Sequence, residues 1–185
     1  MDMPRVLIPQ ADLERRLVEL AEEIERDYDA AGRTADDPLV CVGVLNGAVF
    51  FLVDLLEQVK FLPVVIDFFQ TSSYRGGTSA GEVRIKKDID TPIRGRDVLL
   101  VEDIVDTGYT LRTILDLLKF RGAKSVRLCA LLNKQDRREV GVPIDYKGFD
   151  IDDVFVVGYG LDYGGLYRNL PYVGVVDGGA PADDD

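Results

Sequence analysis

Histidine and tryptophan are absent from this chain of 185 residues, and cysteine occurs only twice. Without histidine the chain has no imidazole to act as a general base or to bind a metal, and two thiols are too few for an all-cysteine zinc site. Both cysteines, Cys41 and Cys129, lie in apolar, strand-like segments. The sequence therefore argues against a zinc site and a Cys–His nucleophile, and it predicts buried thiols in a reducing compartment.

Long hydrophobic runs are absent as well. The longest uninterrupted apolar run covers residues 48–53, whereas a helix that spans a membrane needs roughly 20 apolar residues. The first ten residues also lack the apolar core of a secretory signal. These two features predict a cytoplasmic protein that has no membrane partner.

Basic residues are in the minority, with 22 Lys and Arg against 33 Asp and Glu and a formal net charge of −11. Binding to a nucleic-acid backbone requires clustered Lys and Arg, so the sequence predicts no nucleic-acid partner. An acidic protein can still bind an anionic small molecule through backbone amides and a few basic groups, commonly with a divalent cation.

Apolar strand-like segments alternate with amphipathic helical segments along the chain. The predicted helices cover residues 12–32, 48–59 and 110–120, and the predicted strands cover residues 39–45, 63–69, 83–85, 97–101, 126–132, 154–157 and 172–176. This alternation predicts an α/β fold in which a central, mostly parallel sheet is flanked by helices. We expect a single domain over residues 1–185, a loop at residues 71–82 and a disordered acidic tail at residues 178–185.

The clearest chemical signal is the stretch VLLVEDIVDTGYT, residues 98–110. After its apolar strand come two acids, Glu102 and Asp103, and then a turn, residues 107–110, at the start of a predicted helix. The amides and hydroxyls of this turn suit a phosphate monoester, although the spacing differs from that of a Walker A loop. Because carboxylates repel phosphate, the two acids are predicted to bind sugar hydroxyls or Mg²⁺ beside it. The alternative interpretation is a helix with favourable acids near its N-terminus.

Other polar residues also follow predicted strands, namely Asn46 with Gly47, Lys134, and Asp162. In parallel α/β sheets the carboxyl ends of the strands form the edge at which ligands bind. The sequence therefore predicts that these residues meet residues 102–110 in one site.

Residues 98–111 resemble the phosphoribosyl pyrophosphate (PRPP) signature of type I phosphoribosyltransferases. The segments VCVGVLNGAVFFLVDLL, SSYRGGT and LLNKQDRREVGVPIDYKGFDIDDVFVVGYGLDYGGLYRNLPYVGVV are similar, in order and spacing, to hypoxanthine-guanine phosphoribosyltransferases, and the similarity covers approximately residues 5–177. The resemblance implies the type I phosphoribosyltransferase fold, with a small hood formed by N- and C-terminal segments. It also implies purine salvage, in which the phosphoribosyl group of PRPP is transferred to hypoxanthine or guanine.

The resemblance further implies a role for each matching position. Asp106 is the expected general base at the purine. The expected ligands of the ribose and its 5′-phosphate are Glu102, Asp103, Thr107, Gly108, Tyr109 and Thr110. The expected pyrophosphate contacts are Leu45, Asn46 and Gly47, in a loop that carries a cis peptide in the family, together with Arg168. The expected flap residues are Ser73 and Tyr74, the expected purine contacts are Lys134, Phe155 and Val156, and the expected Mg²⁺ ligands are Glu102, Asp103 and Asp162.

Position 46 departs from the pattern, because relatives more often have Lys or Arg where this chain has Asn. The side chain of Lys134 can only donate hydrogen bonds, so it suits the acceptor of a 6-oxopurine and disfavours the amino group of adenine. The resemblance also implies a homo-oligomer, either a dimer or a tetramer, that acts on small-molecule substrates.

Two other classes of protein remain alternatives. An RNA-binding regulator with the same fold is disfavoured by the net charge of −11 and by Asp106, an acid that such regulators generally lack. A receiver-type signalling domain would account for the letters LLVED, but its acidic pocket lies on the first strand and the DTGYT turn would have no explanation.

Overall fold

The computed structural model describes residues 3–29, 32–73 and 83–176. Its strands are β1 (Arg5–Ile8), β2 (Leu39–Leu45), β3 (Val64–Ser73), β4 (Val83–Lys87), β5 (Asp97–Val105), β6 (Ser125–Asn133), β7 (Tyr146–Asp150), β8 (Val156–Val157) and β9 (Val173–Val175). Its α-helices are α1 (Gln10–Asp29), α2 (Val49–Gln58) and α3 (Tyr109–Phe120), and a single 3₁₀ turn covers Gln135–Arg137.

Six strands form the large sheet, in the order β4-β3-β2-β5-β6-β7. All neighbours in it are parallel except β4, which pairs antiparallel with β3. The other three strands form an antiparallel sheet in the order β1-β9-β8, which joins the N-terminal segment to the C-terminal one. The predicted fold class and hood are confirmed.

Helices cover both faces of the large sheet because its central strands are apolar on both sides. On one face Cys41 and Leu99 pack against α1 and α2, and on the other Val42 and Leu100 pack against α3. Burial raises the pKa of the free Cys41 thiol to about 12. Both cysteines are free and buried, as predicted. None of the helices in the described ranges is long and apolar enough to cross a membrane.

Several predicted boundaries are wrong. β5 continues to Val105 because its pairing with β6 extends past the apolar run, so Glu102 and Asp103 lie within the strand rather than after it. Helix α1 begins at Gln10, which places Asp12 in the first turn instead of at the cap. Asp162 follows β8 of the hood, so it approaches the sheet edge from the opposite side of the site.

The strands β1 and β7 were not predicted. Strand β8 is shorter than predicted and begins at Val156, so Phe155 lies just before it. The predicted loop at residues 71–82 is wrong at its first three positions, which belong to β3. The rest of that loop, with Tyr74, and the predicted acidic tail at residues 178–185 lie outside the described residues.

Candidate active site

A cavity of about 590 Å³ lies between the carboxyl edge of the large sheet and the segment that leads into and out of β8. Six residues predicted from the sequence line it: Asp103, Asp106, Lys134, Phe155, Val156 and Asp162. The topology brings them together because β5 and β6 are adjacent and parallel, so their carboxyl ends meet at one edge, while the hood supplies the facing wall.

The two acids of β5 are held in an environment that disfavours their charge. Burial raises the pKa of Asp103 to about 6, even though the Ile104 N–H donates a hydrogen bond of 2.8 Å to its Oδ1. Burial, reinforced by the neighbouring Asp103, raises the pKa of Glu102 well above its ordinary value. The Glu102 Oε2 atom is enclosed and finds no hydrogen-bond partner in the part of the chain that the structure describes.

An enclosed carboxylate oxygen without a partner is costly, so this pair suits a ligand that supplies donors or positive charge. Within the described ranges no group of three or more acidic or thiol side chains could hold a metal by itself. Mg²⁺ typically takes one or two carboxylates and completes its shell with substrate phosphates and water. The acids Glu102 and Asp103 therefore fit a magnesium ion that arrives with a phosphorylated substrate.

The loop after β2 lies directly against Asp103. The Leu45–Asn46 peptide bond is cis, as the resemblance implied. A Cβ atom on Gly47 would lie 1.5 Å from Asp103 Oδ2, so only glycine allows this approach. The Asn46 side chain is exposed, and its Oδ1 accepts a long hydrogen bond of 3.4 Å from Gln70 Nε2.

The predicted phosphate cradle, residues 107–110, lies at the start of α3. Gly108 adopts a left-handed conformation with φ of 95° and precedes the helix, and no side chain in the described residues caps its first turn. The first amides of a helix lack backbone acceptors, so they are available to an anion. The Thr107 carbonyl accepts hydrogen bonds of 3.0 Å from the N–H groups of Glu139 and Val140, which fixes the cradle against the loop after β6.

The predicted purine side of the cavity is built by β6 and the hood. Lys134 follows β6, is only 8% exposed, and places its Nζ 3.4 Å from Asp153 Oδ1. Phe155 is half-buried, and its ring packs edge-to-face on Tyr163, with centroids 5.6 Å apart. Val156 is buried in β8.

Three residues beside Asp106 were missed by the sequence prediction. The Arg137 Nε donates a hydrogen bond of 3.0 Å to Asp106 Oδ1, and the Arg138 Nε donates one of 2.9 Å to the Asp106 carbonyl. Asp153 contacts both Lys134 and Arg137. The consecutive arginines after LLNK were visible in the sequence, but nothing in their spacing indicates which carboxylate they meet.

Arg168, Ser73 and Tyr74 complete the predicted site residues. Arg168 binds Asp162 Oδ1 at 2.7 Å and donates a hydrogen bond of 2.6 Å to the Gly160 carbonyl. The other Asp162 oxygen accepts the Gly165 N–H at 2.7 Å, so a metal at Asp162 would compete with existing partners. Ser73 ends β3 opposite Val83, and Tyr74 lies outside the described residues.

The chain is similar to proteins of known activity along nearly its whole length. Residues 10–164 match the family model of the phosphoribosyl transferase domain. A hypoxanthine phosphoribosyltransferase of Salmonella typhimurium is 46% identical over 172 residues, which are 92% of this chain and 94% of the relative.

Solved structures agree with this similarity. The crystal structure of a hypoxanthine phosphoribosyltransferase from Staphylococcus aureus matches with a TM-score of 0.86 and 43% identity, over 95% of this chain and 92% of that one. A hypoxanthine-guanine phosphoribosyltransferase from Bacillus anthracis matches with a TM-score of 0.87 and 39% identity, over 95% of this chain and 99% of that one.

Proposed function

This chain belongs to the phosphoribosyl transferase family, and from that membership we propose how its residues divide the work of the reaction. The protein is a purine-salvage enzyme that transfers the 5-phosphoribosyl group of PRPP to hypoxanthine or guanine, giving IMP or GMP and pyrophosphate. The observation that carries the assignment of roles is the cavity in which Asp103, Asp106 and Lys134 meet beside the uncapped start of α3.

The reaction replaces pyrophosphate by a purine nitrogen at the anomeric carbon of the ribose. Residues 107–110 hold the 5′-phosphate on the first amides of α3, which leaves the sugar above the acids of β5. Glu102 and Asp103 accept hydrogen bonds from the ribose hydroxyls. Asp106, one residue before the cradle, accepts the purine proton and stabilises the positive charge that develops on the sugar.

The pyrophosphate leaves toward the loop after β2 and Arg168. Backbone amides around Gly47 are the donors, since Asn46 adds no charge. Glu102 and Asp103, with Asp162, would hold Mg²⁺, which would supply positive charge against the leaving group. Ser73 and Tyr74 belong to the flap, which keeps water away from the activated sugar.

The purine binds between Lys134 and the hood. Lys134 donates to the 6-oxo group, Phe155 stacks on the ring, and the backbone of Val156 contacts its edge. Adenine presents an amino donor to the same ammonium, so a buried donor would be left without an acceptor. Selection for 6-oxopurines follows from this mismatch.

We propose that residues 1–185 form a single phosphoribosyltransferase domain. Two buried free thiols support a reducing cytoplasm as its compartment. Exposed apolar residues on and near α2, among them Phe50 and Val53, support a homo-oligomer, either a dimer or a tetramer.

The test is a spectrophotometric screen of free purines and pyrimidines with PRPP. Hypoxanthine and guanine should be converted, whereas adenine and uracil should not. EDTA should abolish turnover, and added Mg²⁺ or Mn²⁺ should restore it, because the pyrophosphate needs a counter-charge. Conversion of adenine at the rate of hypoxanthine, or full turnover in metal-free buffer, would contradict the assigned roles.

A further inference from the structure

Arg137 lies on the cavity wall between two acidic side chains. Its Nε is 3.0 Å from Asp106 Oδ1, and its Nη1 is 3.6 Å from Asp153 Oδ2. The other oxygen of Asp153 is 3.4 Å from Lys134 Nζ. Asp106, Arg137, Asp153 and Lys134 thus form a continuous row of alternating charge, which we call the charge row.

The backbone beneath the charge row is firmly attached to the end of β5. The Lys134 N–H donates a hydrogen bond of 3.0 Å to the Val105 carbonyl, and the Glu139 and Val140 N–H groups both donate to the Thr107 carbonyl. Arg138 adds bonds from its guanidinium to the Val105 and Asp106 carbonyls. These hydrogen bonds, before and after Arg137 in the chain, fix the segment that carries Arg137 relative to Asp106.

The charge row contributes little to the stability of the fold. Arg137 is 47% exposed and Asp106 is 42% exposed, and ion pairs at such exposure contribute little to folding because water and salt screen them. The ends of the row, however, are the two groups to which the reaction gives opposite tasks. Asp106 is the proton acceptor, and Lys134 is the donor to the 6-oxo group.

We propose that Arg137 and Asp153 are positioning residues for the transfer reaction, which rests on the roles proposed above for Asp106 and Lys134. Arg137 holds the Asp106 carboxylate by Oδ1, so that Oδ2 faces the purine. Asp153 links Arg137 to Lys134 and thereby couples the position of the proton acceptor to that of the 6-oxo donor.

The proton transfer is compatible with this arrangement. The purine N–H bond breaks, its proton bonds to Asp106 Oδ2, and the electron pair stays on the purine, whose ring nitrogen bonds to the anomeric carbon as pyrophosphate leaves. Arg137 remains protonated and keeps its bond to Oδ1. The Lys134 ammonium has three donors, so it can stay with Asp153 while it donates to the 6-oxo group.

A matched pair of variants tests the proposal. Arg137→Gln removes the charge and shortens the reach to Asp106. Arg112→Gln is the control, because Arg112 Nε also lies 3.0 Å from an aspartate, Asp116 Oδ2, at similar exposure on α3. Arg137→Gln should lower kcat with hypoxanthine about 10-fold and leave KM for PRPP within about twofold, since an orienting contact acts on the chemical step. Arg112→Gln should retain the parental constants.

A double-mutant cycle separates positioning from a general effect on the loop. In an Asp106→Asn background, Arg137→Gln should lower kcat by less than about twofold, because the carboxylate it orients is gone. Arg137→Lys should recover at least half of the lost activity on a logarithmic scale.

A parental kcat for Arg137→Gln, an undiminished 10-fold loss in the Asp106→Asn background, or a matching rise in KM for PRPP would each overturn the proposal. A parental kcat for Asp106→Asn alone would instead overturn the assigned role of Asp106, so the two failures are distinguishable.

Discussion

The Asp106 carboxylate is placed by its neighbours in the chain. β5 ends at Val105, the phosphate cradle begins at Thr107, and Arg138 holds the carbonyl of Asp106 between them. In the roles proposed here, a side chain at this junction would face both the sugar and the purine without touching the 5′-phosphate. Asp106 is therefore the residue whose substitution best tests the proposed catalysis.

Asp106→Asn should lower kcat by roughly 10²–10⁴-fold, the usual contribution of a positioned general base. Asparagine keeps the shape and one acceptor oxygen but loses the charge and the basicity. Binding of PRPP should change little, because the amides and hydroxyls of the cradle remain. Calorimetry of PRPP binding alongside steady-state kinetics checks both parts, and a kcat close to that of the parent would remove Asp106 from the chemistry.

Lys134→Ala should reduce kcat/KM for hypoxanthine and guanine by an amount corresponding to about 1.5–3 kcal/mol, because a charge-assisted hydrogen bond is lost. PRPP affinity should be retained. Lys147→Ala is the matched control, since Lys147 also pairs with an aspartate, Asp150, at 2.7 Å but lies away from the cavity. If both variants kept the parental kcat/KM for both purines, Lys134 would not contact the base.

At the scale of elements, the junction between β5 and α3 packs tightly against the loop that follows β6. Gly108 packs closely against this loop, because a Cβ there would lie 2.5 Å from the Val140 carbonyl oxygen. A backbone atom cannot move aside as the end of a flexible side chain can. The cradle and the loop must therefore separate if position 108 carries a side chain.

Gly108→Ala should raise KM for PRPP at least about 10-fold, since the cradle amides would be displaced from the phosphate. Gly95→Ala is the control: Gly95 also has a positive φ, 72°, but no atom lies within 4 Å of an added Cβ. Both variants carry a similar backbone strain of about 1–2 kcal/mol, so thermal unfolding should respond to both and KM only to the first. Equal KM values would show that the close contact has no role in binding PRPP.

At the scale of the whole molecule, the carboxylates near the two ends of β5 have pKa values shifted in opposite directions. Asp97 at its start is buried, yet hydrogen bonds from Ser125, Arg33 and Lys124 leave its pKa below the ordinary value. Asp103 near its other end is half-buried and has no ion pair with a cation among the described residues, and desolvation raises its pKa to about 6. The carboxylate at the start of β5 is thus compensated by hydrogen bonds, whereas the one beside the cavity keeps a raised pKa, as is common at functional sites.

The raised pKa has a definite effect on stability. Below about pH 4 Asp103 is protonated in both the folded and the unfolded chain, and it has no effect. As pH rises to about 6 the unfolded chain releases this proton first, so the free energy of unfolding falls. Above about pH 6 Asp103 is ionised in both states, and its effect on the free energy of unfolding no longer changes with pH.

Asp103→Asn should therefore stabilise the ligand-free protein at pH 7.5, on the order of 2 kcal/mol, or roughly 4–8 °C in Tm for a chain of this size. The gain should shrink at pH 5. With PRPP and Mg²⁺ present the order should reverse, because the parent carboxylate is then paired. Thermal unfolding at both pH values, with and without ligands, checks this, and a less stable ligand-free variant at pH 7.5 would contradict it.

The amino-acid sequence by itself determined the fold class and most of the candidate site. Alternating apolar strands and amphipathic helices require a sheet covered on both faces, and the parallel order places the ends of β2, β5 and β6 at one edge. The phosphate turn was readable because its residue types act locally, through amides, hydroxyls and a glycine at positive φ.

Only the tertiary structure decided how far β5 extends, which carboxylates are paired and which cations meet Asp106. Pairing with β6 carries β5 through Glu102 and Asp103, where the apolar pattern had already stopped. Arg137 and Asp153 are separated in the chain and join only when the hood folds over the sheet edge. Contacts of this kind depend on distances between elements, and residue spacing along the chain carries no information about them.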